Sequence, residues 1–445
     1  MKKEWLIAIG ATLLSLLVAR SIVKTLRINS NVPKDMAIVQ LDAREAPFYE
    51  GVFKRPSEHG QDLLISDPKT ILRGAPFFKD QLGAGPHDVL GFRNRVVPTI
   101  ADVVTIGDSQ TYGNNVITAE NWPSVMAKSL AGEVTVYNVS LGSWGGVQYF
   151  DMAQKVALFK PLAIVVAFYT GNDSLETFKA AYAVDSWKEF RLDASLSIHD
   201  MPNIPFPPPK EDRWELRFSS GFTTTFTPKL RLLSNDSASG AVVAGYRIIK
   251  EIATRIYSVL TKEGVDVYFT VIPTKEMVYS KRVQDEGVVP PEAYAKLIRE
   301  EGNALSELTE HFAVIGAKSI DVVSDLKSAA STDALLYPPD SNGHPVPEGY
   351  RLIGETIARA VKDGLANKTG VLADGGYFTA SPERYYVARK GEMYLFAQPE
   401  AAALSGWKKE DFVKVDNRRI ESIGMNGVVR SGDTERFGPS KNTVP

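Results

Sequence analysis

The sequence predicts an α/β domain built on a parallel sheet with helices on both faces. Two observations predict it. Between residues 102 and 320 five near-continuous apolar runs of strand length recur. The segments between them carry apolar residues at helical spacing and are long enough for crossovers, the pattern of strands buried on both faces. A chain of 445 residues has ample length for such a core.

Taken in order, the chain begins with Lys2 and Lys3 followed by Trp5 to Ala19 without a charged side chain. Fifteen residues make about 23 Å of helix against a hydrocarbon core of roughly 30 Å. The run becomes sufficient to Val23 if the Arg20 guanidinium reaches the headgroups. Residues 1–28 are therefore expected to form a retained membrane anchor. A cleaved signal and a secreted protein are the alternative, and only Ala19 supplies a small residue for cleavage. Basic residues flank the run on both sides, so their count does not orient it.

A polar lead-in, 29–98, precedes the expected strands Asp102 to Ile106, Val134 to Asn138, Leu162 to Phe168, Val265 to Ile272 and Ala313 to Ile320. Helical patterns occupy 119–131, 147–159, 240–263 and 291–312. A last helix carries Tyr350, Ile353, Ile357 and Val361 on one stripe. The pattern fails at 175–240, where Trp187, Phe190, Trp214, Phe218, Phe222 and Phe226 surround a proline cluster. This insertion is expected to cap the sheet edge, its aromatics either shaping a substrate cleft or forming a satellite core. After residue 366, Tyr385 to Arg389 and Met393 to Phe396 around Lys390-Gly391-Glu392 signal a hairpin, and Phe412 to Val415 a further strand. Residues 366–445 are read as a small β-rich module with a polar tail from Ser431.

Lys plus Arg is 51 and Asp plus Glu 53, a net charge of −2, which disfavours a general nucleic-acid binder. With no cysteine, covalent catalysis falls to Ser, Thr, Lys or a carboxylate. The first strand runs into Gly107-Asp108-Ser109-Gln110-Thr111-Tyr112-Gly113, which places a serine at the carboxyl edge of the sheet, where open α/β sheets bind ligands. Alone, the segment reads more readily as a helix-capping Asp or Ser after a strand. The second strand ends at Asn138-Val139-Ser140-Leu141-Gly142-Ser143, the third at Tyr169-Thr170-Gly171-Asn172-Asp173, and Asp340-Ser341-Asn342-Gly343-His344 precedes the final helix.

These four segments, in this order, resemble the SGNH (GDSL-like) hydrolase superfamily over residues 99–365. The resemblance implies a flavodoxin-like three-layer α/β/α fold, a nucleophile at Ser109 and a base at His344. It also implies oxyanion donors at Ser109, Gly142 and Asn172. The other histidines, His59, His87, His199 and His311, are scattered without ligand spacing, so no metal and no cofactor is expected. Two departures stand out. The acidic residue usual three positions before the histidine is Ser341 here, with Asp340 four before, so Asp340 completes a triad only if the loop bulges. The usual glycine falls at Ser143, one after Gly142, leaving either N–H as donor.

No Gly-x-Ser-x-Gly elbow, phosphate-binding Lys-Ser or Lys-Thr loop, or His-Glu-x-x-His occurs. Ile272 to Tyr279 resembles a segment of membrane-associated SGNH-like proteins that acetylate exopolysaccharides, although Lys275 reads more readily as a solvated loop charge. The expected function is a membrane-anchored, extracytoplasmic serine enzyme that cleaves or transfers an O-acyl group, acetyl foremost, on a carbohydrate. Polysaccharide-biosynthesis partners fit that setting. A catalytically silent SGNH-fold protein for polysaccharide binding or assembly is the alternative.

Overall fold

In a computed structural model the described residues are 63–429, apart from short stretches at 80–82, 99–100, 131–133, 160, 206, 370–374, 381–382, 390–391, 415–419 and 421–424, together with Phe437. The expected anchor, the first part of the lead-in and, Phe437 apart, the tail from Ser431 lie outside them. Among the described residues no helix is long and apolar enough to cross a membrane.

The strands are, in chain order, β1 (Leu64–Asp67), β2 (Ile71–Gly74), β3 (Val103–Gly107), β4 (Val136–Ser140), β5 (Ala163–Tyr169), β6 (Trp214–Arg217), β7 (Thr223–Phe226), β8 (Asp266–Ile272) and β9 (Lys318–Ile320). The helices are α1 (Ser109–Tyr112), α2 (Trp122–Ser129), α3 (Gly146–Lys155), α4 (Asp173–Ala183), α5 (Pro228–Leu232) and α6 (Gly240–Lys262). They continue with α7 (Lys275–Val278), α8 (Ser280–Asp285), α9 (Glu292–Val314), α10 (Val323–Ala330) and α11 (Pro347–Thr369).

The central sheet has the order β4-β3-β5-β8-β9 with every neighbouring pair parallel. Counted by its own strands this is 2-1-3-4-5, the flavodoxin-like order, with its switch point between β3 and β5. On one face Val103, Val165 and Ala167 pack with Trp122 of α2 and Ile353, Ile357 and Val361 of α11. On the other, Phe168 stacks on Phe269 and on Phe312 of α9, and meets Tyr149 of α3. Each such buried side chain contributes roughly 1.5–3 kcal/mol.

Two expected boundaries move. The strand expected at Ala313 to Ile320 is only Lys318–Ile320, because α9 runs on to Val314 and the chain turns at Gly316, whose φ is +79°. The second strand starts at Val136 rather than Val134, in register with Val103.

In the 175–240 insertion the expected irregular start is occupied by α4, followed by short turns and the antiparallel pair β6–β7. Trp187, Phe190, Phe218 and Phe226 are buried. Phe218 and Phe222 stack with Tyr279, and Trp187 meets Phe150. Of the two readings of these aromatics, packing accounts for them.

The last module holds β10 (Gly375–Ala380), β11 (Glu383–Arg389), β12 (Glu392–Phe396), β13 (Phe412–Lys414) and β14 (Met425–Val429), with α12 (Pro399–Leu404) between β12 and β13. The β11–β12 hairpin forms as its sequence signals, within a sheet of order β13-β10-β11-β12-β14.

Candidate active site

Ser109 opens α1 directly after β3, and the turn is held by its neighbours. Asp108 caps the helix, its Oδ1 accepting from the Gln110 N–H at 2.8 Å. Gly113, with φ +87°, ends it. A Cβ at Gly107 would lie 2.1 Å from Thr111 Oγ1, so a side chain there would push the turn off the strand.

The lead-in clasps this turn from outside. His87 bonds the Ala75 carbonyl and the Tyr112 hydroxyl, each at 2.8 Å. The buried Arg93 guanidinium donates to the carbonyls of Gly85, Tyr112, Gly113 and Val116. Trp144, behind the second motif, donates to the Leu72 carbonyl of β2 at 2.8 Å.

His344 comes from a loop 235 residues away in sequence, and its Nε2 lies 2.8 Å from Ser109 Oγ. Two short bonds shape that loop. Asp340 Oδ1 accepts from the Asn342 N–H at 2.9 Å, and Asn342 Oδ1 accepts from the His344 N–H at 3.0 Å, consecutive Asx-type turns. Asn342 Oδ1 also lies 2.9 Å from His344 Nδ1, while its Nδ2 donates to Asn115 Oδ1. With a carbonyl oxygen at Nδ1, that nitrogen carries the proton and Nε2 is free to accept one.

The structure thus brings Ser109 and His344 together but not Asp340, whose carboxylate faces the backbone of Asn342. The residue that meets the imidazole is Asn342, which a search confined to acidic residues passes over. Gln110 Nε2 to the Gly343 carbonyl and Asn115 Nδ2 to the His344 carbonyl tie the serine turn to this loop.

Lys275 corrects another expectation. It is not solvated but 1% exposed, and its ammonium donates to the carbonyls of Thr225, Pro338 and Asp340. It fixes the loop that carries His344 against the end of β8. Burial lowers its pKa to about 8.

Gly142 sits in a tight turn after β4, where Ser143 adopts φ +63°, an uncommon conformation for a side chain and costly to hold. A Cβ on Gly142 would lie 3.7 Å from Ser109 Cβ, which puts Gly142 against the serine turn. Ser143 is exposed. Asn172 lies just past β5 as the cap residue of α4, and its Oδ1 is buried without a hydrogen-bond partner. The β3 and β5 ends are neighbours, so Ser109 and Asn172 leave the sheet at its switch point.

Burial governs the titration of the site. The His344 imidazole is held down at about 4, first by burial and then by the charge of Arg231. Burial pushes Asp108 up to about 7, and Ser109 Oγ lies 3.2 Å from its Oδ2, a longer alternative to the histidine. Asp173 is raised by burial and by Asp108, while Tyr149 donates to both of its oxygens. Among the described residues no His, Cys, Asp and Glu cluster could hold a metal ion. A cleft of about 270 Å³ between α6 and α9, lined by Asn235, Tyr246, Lys250 and Glu307, contains neither Ser109 nor His344.

No family model matches the chain, and no curated protein matches it. Solved structures do. A member of the lipolytic protein G-D-S-L family from Veillonella parvula is 10% identical over 58% of this chain and 96% of its own, with a TM-score of 0.31. The lipase/acylhydrolase from Enterococcus faecalis is 16% identical over 59% and 96%, with a TM-score of 0.31. A catalytic mutant of an acetylxylan esterase from Geobacillus stearothermophilus is 10% identical over 60% and 95%, with a TM-score of 0.33.

Proposed function

We propose that the protein is a serine enzyme of SGNH type that cleaves or transfers an O-acyl group, acetyl foremost, on a carbohydrate. The observation that carries this reading is the 2.8 Å contact between Ser109 Oγ and His344 Nε2 at the switch point of a parallel sheet, with Gly142 and Asn172 alongside.

In this reading neutral His344 removes the serine proton as Oγ attacks the acyl carbon. The N–H groups of Ser109 and Gly142 and the Asn172 amide receive the oxyanion. Collapse expels the alcohol, which takes the proton from Nε2 and leaves acyl-Ser109. Water or a sugar hydroxyl, deprotonated by His344, then releases the acyl group. Asn342 keeps Nδ1–H oriented throughout. Residues 5–23 would hold the enzyme at a membrane with its catalytic domain on the extracytoplasmic side.

The test is an assay of the full chain with an aryl acetate, with and without an acetyl-accepting oligosaccharide. Release of the phenol that disappears in Ser109→Ala supports the enzyme, and acceleration by the oligosaccharide selects transfer over hydrolysis. The silent-protein reading draws support from one observation, the neutral Asn342 where a carboxylate would assist the histidine. Absence of turnover together with oligosaccharide binding would establish it.

A further inference from the structure

Among the described residues, one cation near Ser109 and His344 has no hydrogen-bond or ion-pair partner. Arg231, partly buried at the end of α5, reaches the histidine loop so closely that a Cβ on Gly343 would lie 2.4 Å from its Nη2. The Tyr169 hydroxyl lies 3.5 Å from the same point, buried and likewise without a hydrogen-bond partner. Three buried cations of the domain are satisfied: Arg93 and Lys275 by backbone carbonyls, Arg282 by Glu286 and Asp333.

Among the described residues the Arg231 guanidinium forms no hydrogen bond and no ion pair. Two carboxylates, Glu276 and Glu301, act on it from beyond hydrogen-bond reach, and Glu276 Oε2 is itself buried without a hydrogen-bond partner. Glu301 accepts from Thr170 and Thr274, and Glu276 Oε1 accepts from the Thr227 N–H.

We propose that Arg231, with the Tyr169 hydroxyl, receives an anionic oxygen group carried by the acylated substrate: a carboxylate, phosphate or sulfate on the sugar that bears the ester. This rests on the serine-esterase reading and names its substrate class. A planar guanidinium offers paired N–H donors that match such groups. The charge arithmetic points the same way. When His344 takes the serine proton, an imidazolium arises beside the guanidinium, and Asn342 supplies no compensating negative charge. An anionic group seated on Arg231 relieves the repulsion between guanidinium and imidazolium, so a charged substrate gains in the transition state as well as in binding.

The experiment measures binding to the full chain carrying Ser109→Ala, so that no turnover is needed, by calorimetry with three probes. These are a methyl hexopyranosiduronate, its uronamide and a methyl hexopyranoside 6-phosphate. At least one anionic probe should bind about tenfold or more tighter than the uronamide, and whether it is the uronate or the phosphate identifies the anion. Adding Arg231→Met should bring the probes to within about threefold of one another, and Arg231→Lys should keep part of the difference. A melting curve checks that each variant is folded, and Arg231→Lys serves if Arg231→Met is not.

Equal binding of all three probes, binding of none, or a preference that survives loss of the guanidinium would overturn the proposal. Failure of the esterase reading shows separately, as an aryl acetate left intact by the unaltered chain.

Discussion

Asn342 is the residue whose replacement tests the site most sharply. Its Oδ1 accepts from His344 Nδ1 at 2.9 Å and from the His344 N–H at 3.0 Å. The first of these bonds strengthens as the ring becomes cationic, and a hydrogen bond to a charged group contributes about 1.5–3 kcal/mol. Asn342→Ala should therefore lower kcat by roughly tenfold to a hundredfold. KM should change little, since the lost interaction is made in the transition state. Asp340→Asn provides the contrast. Its side chain can still accept from the Asn342 N–H, so turnover should stay within about threefold, under 1 kcal/mol. Initial rates on an aryl acetate across substrate concentration decide the matter. If Asp340→Asn lost as much as Asn342→Ala, or Asn342→Ala stayed within threefold, the assignment of Asn342 as the orienting partner would be wrong.

The remaining predictions are brief. Ser109→Ala should abolish turnover while leaving the melting temperature within a few degrees, and undiminished ester cleavage would reject the nucleophile. His344→Ala should lose at least about a hundredfold in rate; near-normal turnover would mean another base. Because His344 is depressed to about 4, kcat/KM should hold through pH 6 and fall only as pH drops through about 4. The same depression makes its stability contribution complete above about 6.5 and lost as pH falls through about 4, so an acid limb near 6.5 would contradict the burial. A reporter fused after residue 30 should be active only outside the cytoplasm, and cytoplasmic activity would reverse the proposed topology.

Ser109, Asn172 and His344 were legible because each belongs to a short motif beside an element with clear apolar periodicity. Strand ends are local features, and the sheet order sets Ser109 and Asn172 at neighbouring ends without any loop needing to be known, whereas His344 depends on the shape of its loop. Asp340 misled because spacing along an irregular loop does not fix direction: two side-chain-to-backbone bonds turn the chain so that Asn342, not Asp340, meets the ring. Lys275 read as a loop charge because a sequence cannot show the carbonyls of Thr225, Pro338 and Asp340 closing around an ammonium. Arg231 gave no signal at all. It lies in an insertion without periodicity, and its meaning comes from partners it lacks. The insertion's aromatics fit two readings until their burial chose between them.

The 235 residues that separate Ser109 from His344 also decide when activity can appear. A chain leaving the ribosome N-terminus first presents the serine segment long before His344 exists. Until the loop at 340–344 has emerged and docked through Gln110, Asn115 and Lys275, the nucleophile is only a buried turn hydroxyl. In the serine-enzyme reading the nascent chain is therefore inert until that loop has been made. A cut in the connection between α4 and β6 leaves each fragment with half of the proton relay, so activity returns only when the two pieces reassociate.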